Sequence, residues 1–75
     1  MNSFIREETE YVVKVENISS YGQMVCDVNT EYIERKGPAT SRYAYEYFKE
    51  KMETEYTNVY GVTNTVHVLA VYRRV

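Results

Sequence analysis

Val66-His67-Val68-Leu69-Ala70-Val71-Tyr72 is the stretch whose reading decides the fold. It is the longest nearly unbroken apolar run in the chain, interrupted only by His67. In a strand, Val66, Val68, Ala70 and Tyr72 point to one face and His67, Leu69 and Val71 to the other. A strand with one buried face alternates apolar and polar residues. This one is apolar on both sides from Val68 onward, so its second face also calls for cover. In a chain of 75 residues, a second copy of the protein is an obvious source of it.

Upstream, Tyr11 to Glu16 reads as a first strand, with Tyr11, Val13 and Val15 on one face. Asn17 to Gly22 carries turn chemistry: Asn and Ser bond their own backbone, and Gly22 accepts positive φ. Gln23 to Val28 reads as a second strand with Met24, Cys26 and Val28 facing inward. The alternation fades at Asn29-Thr30 and returns at Glu31 to Glu34, which fits one long strand bulged near Asn29 or two short ones. Gly37-Pro38 ends the strand, and Thr40 or Ser41 can cap a helix. That helix runs to about Thr54 or Tyr56, with Ala44, Tyr47, Phe48 and Met52 on one side. Arg42, Glu46, Lys49, Glu50 and Glu53 lie opposite, and Arg42–Glu46 and Lys49–Glu53 are spaced as i,i+4 ion pairs. Tyr56 to Gly61 reads as a loop, the last strand runs from about Thr63 to Tyr72, and Arg73-Arg74-Val75 as a frayed basic end.

The predicted order is ββαβ, an α+β fold in which a small, mostly antiparallel sheet carries one helix on one face. The last strand can lie beside the first or the second. The first is favoured, giving order 2-1-3, because antiparallel neighbours are commoner. The expected core is Tyr11, Val13, Val15, Met24, Cys26, Val28, Ala44, Phe48, Met52, Val66, Val68 and Ala70. The last strand is then an edge, and a long apolar edge is an association hazard. A two-fold homodimer is expected through it, edge to edge or through the face with His67, Leu69 and Val71.

Residues 1–75 form one domain, with 1–9 a loose lead-in. One Cys excludes an internal disulfide, and one Cys with one His makes no zinc set. The first residues hold no apolar core of signal-peptide length and no segment is long enough to span a membrane, so a cytoplasmic protein is expected. No catalytic constellation stands out: His67 lies alone in an apolar run, and the three Gly sit singly at turns rather than in a phosphate-cradling loop. No enzyme activity, small-molecule substrate, membrane partner or cofactor is expected.

Charge is unevenly divided. Residues 1–34 hold seven acids and two bases, and residues 35–75 seven bases and four acids. Glu46, Glu50 and Glu53 recur along the exposed helix face, while Asp27, Glu31 and Glu34 line the outer side of the second strand. Carboxylates at such spacing on a rigid dimer can imitate a phosphate track and occupy the basic groove of a DNA-binding protein. The opposite reading is a nucleic-acid module, in which Arg35-Lys36, Arg42, Lys49, Lys51 and Arg73-Arg74 neutralise phosphates and exposed Tyr stack on bases. Against it stand the net charge of −2 and the glutamates between the helix cations. A structural or assembly role is a third reading.

In its general character, very short, rich in Tyr (nine of them), mixed α+β and motif-free, the chain resembles small bacteriophage-encoded inhibitors of host machinery. The DNA-mimic type, including inhibitors of the histone-like HU protein, is one of these. The resemblance implies a protein that binds a basic host DNA-binding protein. It carries no residue-level assignment.

Overall fold

The computed structural model describes residues 8–74. Strand β1 (Glu8–Tyr21) and strand β2 (Met24–Pro38) form a long hairpin. A 3-10 turn (Ser41–Tyr43) leads into helix α1 (Ala44–Met52), followed by a short β3 (Thr54–Thr57) and β4 (Val62–Arg73). All neighbours are antiparallel, in the order β2-β1-β4-β3. The fold is α+β, and the last long strand lies beside the first as expected. The expected ββαβ order is corrected by β3, which adds a second hairpin where the sequence reads as helix end and loop.

β1 is central, so its backbone is paired on both sides along most of its length. That pairing carries Asn17 to Tyr21 into the strand in place of the expected turn. Asn17 Nδ2 donates to Asn29 Oδ1 across the hairpin at 3.2 Å, a cross-strand bond instead of a local one. The reversal is confined to Gly22-Gln23, where Gly22 takes φ 61°. β2 is one strand, and its register shift falls at Cys26 rather than near Asn29. The second turn rests on Asn58, whose Oδ1 accepts the backbone N–H of Tyr60 at 2.8 Å and of Val62 at 3.1 Å.

Tyr11, Val13 and Val15 alternate onto the helix side of β1 and are fully buried with Ala44, Phe48 and Val68. Ile33, Met52, Val66 and Val71 pack around them. Two expectations fail here. Met24, Cys26 and Val28 are exposed. Val28 pairs with Ile18 on the face away from the helix, and Cys26 is the extra residue at the register shift. Met24, opposite Tyr21, lies beyond a helix whose nine residues span only about 14 Å of a molecule 47 Å long. The far half of the hairpin therefore has no helix above it. Ala70 is only partly buried, and Val71 takes its place against the core. The cause is a bulge: Val15 pairs with Val68 and Lys14 with Ala70, which leaves Leu69 as the extra residue. One inserted residue reverses the faces beyond it.

The helix is shorter than its pattern. No side-chain hydrogen bond caps it at Thr40 or Tyr43, and it stops at Met52, with Glu53 already extended. The expected Arg42–Glu46 and Lys49–Glu53 ion pairs do not form. Among the described residues the ion pair is Arg74–Glu34, which with the Arg74 N–H to the Glu10 carbonyl ties down Arg74 in the end expected to fray; Val75 lies outside the described residues. Of the lead-in, Glu8 and Thr9 belong to β1, and residues 1–7 lie outside the described part of the chain. No described helix is long and apolar enough to cross a membrane.

Candidate binding surfaces

With Ala44 and Phe48 turned into the core, helical spacing turns Glu46, Lys49 and Glu50 outward. They line a shallow groove of about 340 Å³ together with Glu53. Glu53 has a structural task. Its Oε2 accepts the backbone N–H of Val68 at 3.0 Å, and the Tyr45 hydroxyl lies 3.5 Å from the Val68 carbonyl. β3 pairs with β4 only as far as Val66. The two side chains thus cover the outer edge of β4 where β3 stops. Glu53→Ala is expected to leave that N–H without its charged acceptor and lower stability by about 1–2 kcal/mol, read as a shift in the urea midpoint. An unchanged midpoint would show that water replaces the carboxylate at no cost.

The β2 acids divide between the two faces. Directly paired residues of an antiparallel hairpin share a face. Asp27 pairs with Ser19 and Glu31 with Val15, both on the helix side of β1. Glu34 pairs with Val12, on the opposite side, and its carboxylate is engaged by Arg74. Of the six acids singled out in the sequence, five therefore stand on the helix side of the sheet. They do not form one cluster: Glu46, Glu50 and Glu53 share a groove, and Asp27 and Glu31 lie along β2. Apart from Glu34, none of the six is ion-paired among the described residues.

The residues expected at a dimer interface are not brought onto one surface. Val71 packs against the core, Leu69 is the half-exposed bulge residue, and His67 is exposed on the face away from the helix, where it pairs with Glu16. That face carries Val12, Tyr32 and Tyr72, with Lys14 Nζ 5.8 Å from the Tyr32 ring centroid.

The 3-10 turn and the helix together assemble a feature not paired up in the sequence. Arg42 lies 5.4 Å from the Tyr43 ring, Lys49 5.8 Å from Tyr45 and Lys51 5.5 Å from Tyr47. The i,i+4 spacing of Tyr45–Lys49 and Tyr47–Lys51 is the signal that could have found two of the three. Tyr47 is held edge-on against Phe48, with ring centroids 5.0 Å apart, and beside it a cleft of about 300 Å³ is lined by Arg35, Lys36, Tyr47, Phe48, Lys51 and Met52. Three cation-bearing residues and no acid surround this cleft.

Among the described residues there is no group of three or more His, Cys, Asp or Glu that could hold a metal ion. Comparison with protein families, with curated proteins and with solved structures found no match to this chain.

Proposed function

We propose that this protein acts by binding rather than by catalysis. In this reading it is a cytoplasmic, phage-encoded inhibitor whose acidic side, presented by a homodimer, competes with DNA for a basic DNA-binding host protein. The observation that carries the reading is the placement of Glu46 and Glu50. They are exposed on the outer face of a helix anchored by Phe48 and share one groove. They stand on the same side of the sheet as Asp27 and Glu31, and among the described residues no ion pair neutralises any of the four. Glu53 and Glu34 are discounted as contacts, because each is occupied within the chain. Carboxylates fixed on a packed frame accept Lys and Arg without first being ordered, which favours fast, salt-sensitive association.

The test is displacement of a labelled DNA duplex from the histone-like HU protein. Wild type is expected to release the duplex at low salt and progressively less as salt rises. Glu46→Lys combined with Glu50→Lys is expected to raise the concentration needed by about tenfold or more, since two close like charges now face a basic groove. Release unaffected by the double variant would remove the helix acids from the mechanism.

A second reading is favoured by one specific feature, the three cation–tyrosine pairs of the 3-10 turn and helix and the adjoining acid-free cleft. A rigid ring beside a Lys or Arg is what single-stranded nucleic-acid binding uses. A gel shift with single- and double-stranded DNA and RNA separates the two. A shift by the protein alone, lost on Tyr47→Ala, supports the nucleic-acid module. No shift, together with release of DNA from HU, supports the inhibitor.

A further inference from the structure

β2 is the longest unshielded edge in the fold. It runs Met24–Pro38, pairs with β1 on one side, and has no strand on the other among the described residues. The outer edge of β4, by contrast, is taken by β3 and then by Glu53 and Tyr45. The Glu34 carbonyl is not spent on β1; the Arg35 guanidinium donates to it at 2.9 Å. By the alternation of antiparallel pairing, the backbone groups of Thr30, Tyr32 and Lys36 also face outward. Such an edge invites another strand.

We infer that β2 is the homodimer edge, paired antiparallel with the β2 of a second copy across a two-fold axis at Ile33. The inference rests on the homodimer in the reading above; it takes Glu31 into the dimer seam and leaves Glu46, Glu50 and Asp27 to the acidic partner. The charges select this register. Partners must share a face, so the axis falls on a residue of the strand. Centred on Glu31, Glu34 or Arg35, the pairing sets a residue against its own like charge. Centred on Tyr32, it sets Glu31 against Ile33 and makes no ion pair. Centred on Ile33, it sets Ile33 against its own copy, flanked on each side by Glu31 opposite Arg35. On the other face Tyr32 lies opposite Glu34. The ladder ends where it must: Pro38 has no N–H to donate, and the Cys26 bulge breaks the regular edge beyond Asp27. Pairing makes one continuous eight-stranded sheet with both helices on the same side, and Arg35 exchanges its own Glu34 carbonyl for the Glu31 carboxylate of the second copy.

The experiment is sedimentation equilibrium over a concentration series for wild type, Glu31→Arg, Arg35→Glu and the double variant. Both residues are exposed, and circular dichroism verifies that each variant folds. Wild type is expected to dimerise. Each single reversal sets two pairs of like charges across the axis and weakens dimerisation by about tenfold or more. The double variant restores the pairs with signs exchanged and recovers most of the affinity. A monomeric wild type at high micromolar concentration overturns both the homodimer and this edge. A wild-type dimer insensitive to the single reversals, or not rescued in the double, overturns the edge alone and sends the interface elsewhere.

Discussion

Phe48→Ala is expected to lower the unfolding free energy by about 3–5 kcal/mol. Phe48 is the side chain by which the helix is fastened to the sheet. It is 2% exposed, meets the Tyr11 ring edge-on with centroids 5.5 Å apart, and reaches Gly37 on β2. Its removal empties a site that neighbours cannot refill, since Tyr11 is itself held by a hydrogen bond from its hydroxyl to the Pro38 carbonyl at 2.5 Å. A domain of this size has only about 4–11 kcal/mol of stability to lose. The midpoint of thermal unfolding should therefore fall by roughly 15 °C or more. A loss below about 1 kcal/mol would mean that the helix is not docked through this ring.

Gly37→Ala is expected to destabilise by about 1–3 kcal/mol, against the usual benefit of replacing a strand glycine. A Cβ at this position would lie 2.7 Å from Phe48 Cζ, 2.9 Å from Phe48 Cε2 and 3.3 Å from Tyr11 Cδ2. The first two distances are shorter than any relaxed carbon–carbon contact, and the ring they strike is buried between two other aromatics. The glycine is thus required by close approach of the helix, not by its backbone angle. The two sites should be coupled. In a Phe48→Leu background, which withdraws the far end of the ring, Gly37→Ala should cost much less, and a double-mutant cycle reads the difference. Equal costs in both backgrounds would place the strain elsewhere.

These residues also mark how far the sequence could be read. Tyr11, Val13 and Val15 alternate, and Ala44 and Phe48 recur at helical spacing, so the hairpin, the helix and their shared core were legible from period alone. Gly37-Pro38 reads as a breaker, yet Gly37 is the one buried residue of β2, because what it serves is a ring met only after the chain has turned back. The faces of β4 were not legible beyond Leu69. Both sides of that segment are apolar, so nothing in the sequence marks the inserted residue that exchanges Ala70 for Val71. The exposure of Met24, Cys26 and Val28 was hidden for another reason. The extra residue at Cys26 puts Met24 and Val28 on opposite faces, and cover on the helix side depends on the length of the element above it, where α1 is far shorter than β1 and β2. β3 was masked because Glu53 continues the charged face of the helix, although Lys51 and Glu55 already fall on its apolar side, which places the end of the packed part near Met52.

The candidate surfaces divide in the same way. Glu46 and Glu50 could be placed outward from helical spacing, and the structure puts them there. Glu53 obeys the same spacing but is drawn to the edge of β4, a long-range contact that no local pattern contains. Glu34 and Glu31 alternate off register by an odd number of residues, which sends them to opposite faces. The cation–tyrosine pairs depend on where long side chains fold back, which only the helix geometry supplies.

The most direct test of the binding role is capture from a bacterial lysate on the immobilised protein at low and high salt, with Glu46→Lys/Glu50→Lys in parallel. A basic DNA-binding protein retained at low salt, released at high salt and absent from the variant column is the predicted result. Retention that ignores both salt and the two substitutions, or no basic protein retained at all, would contradict it.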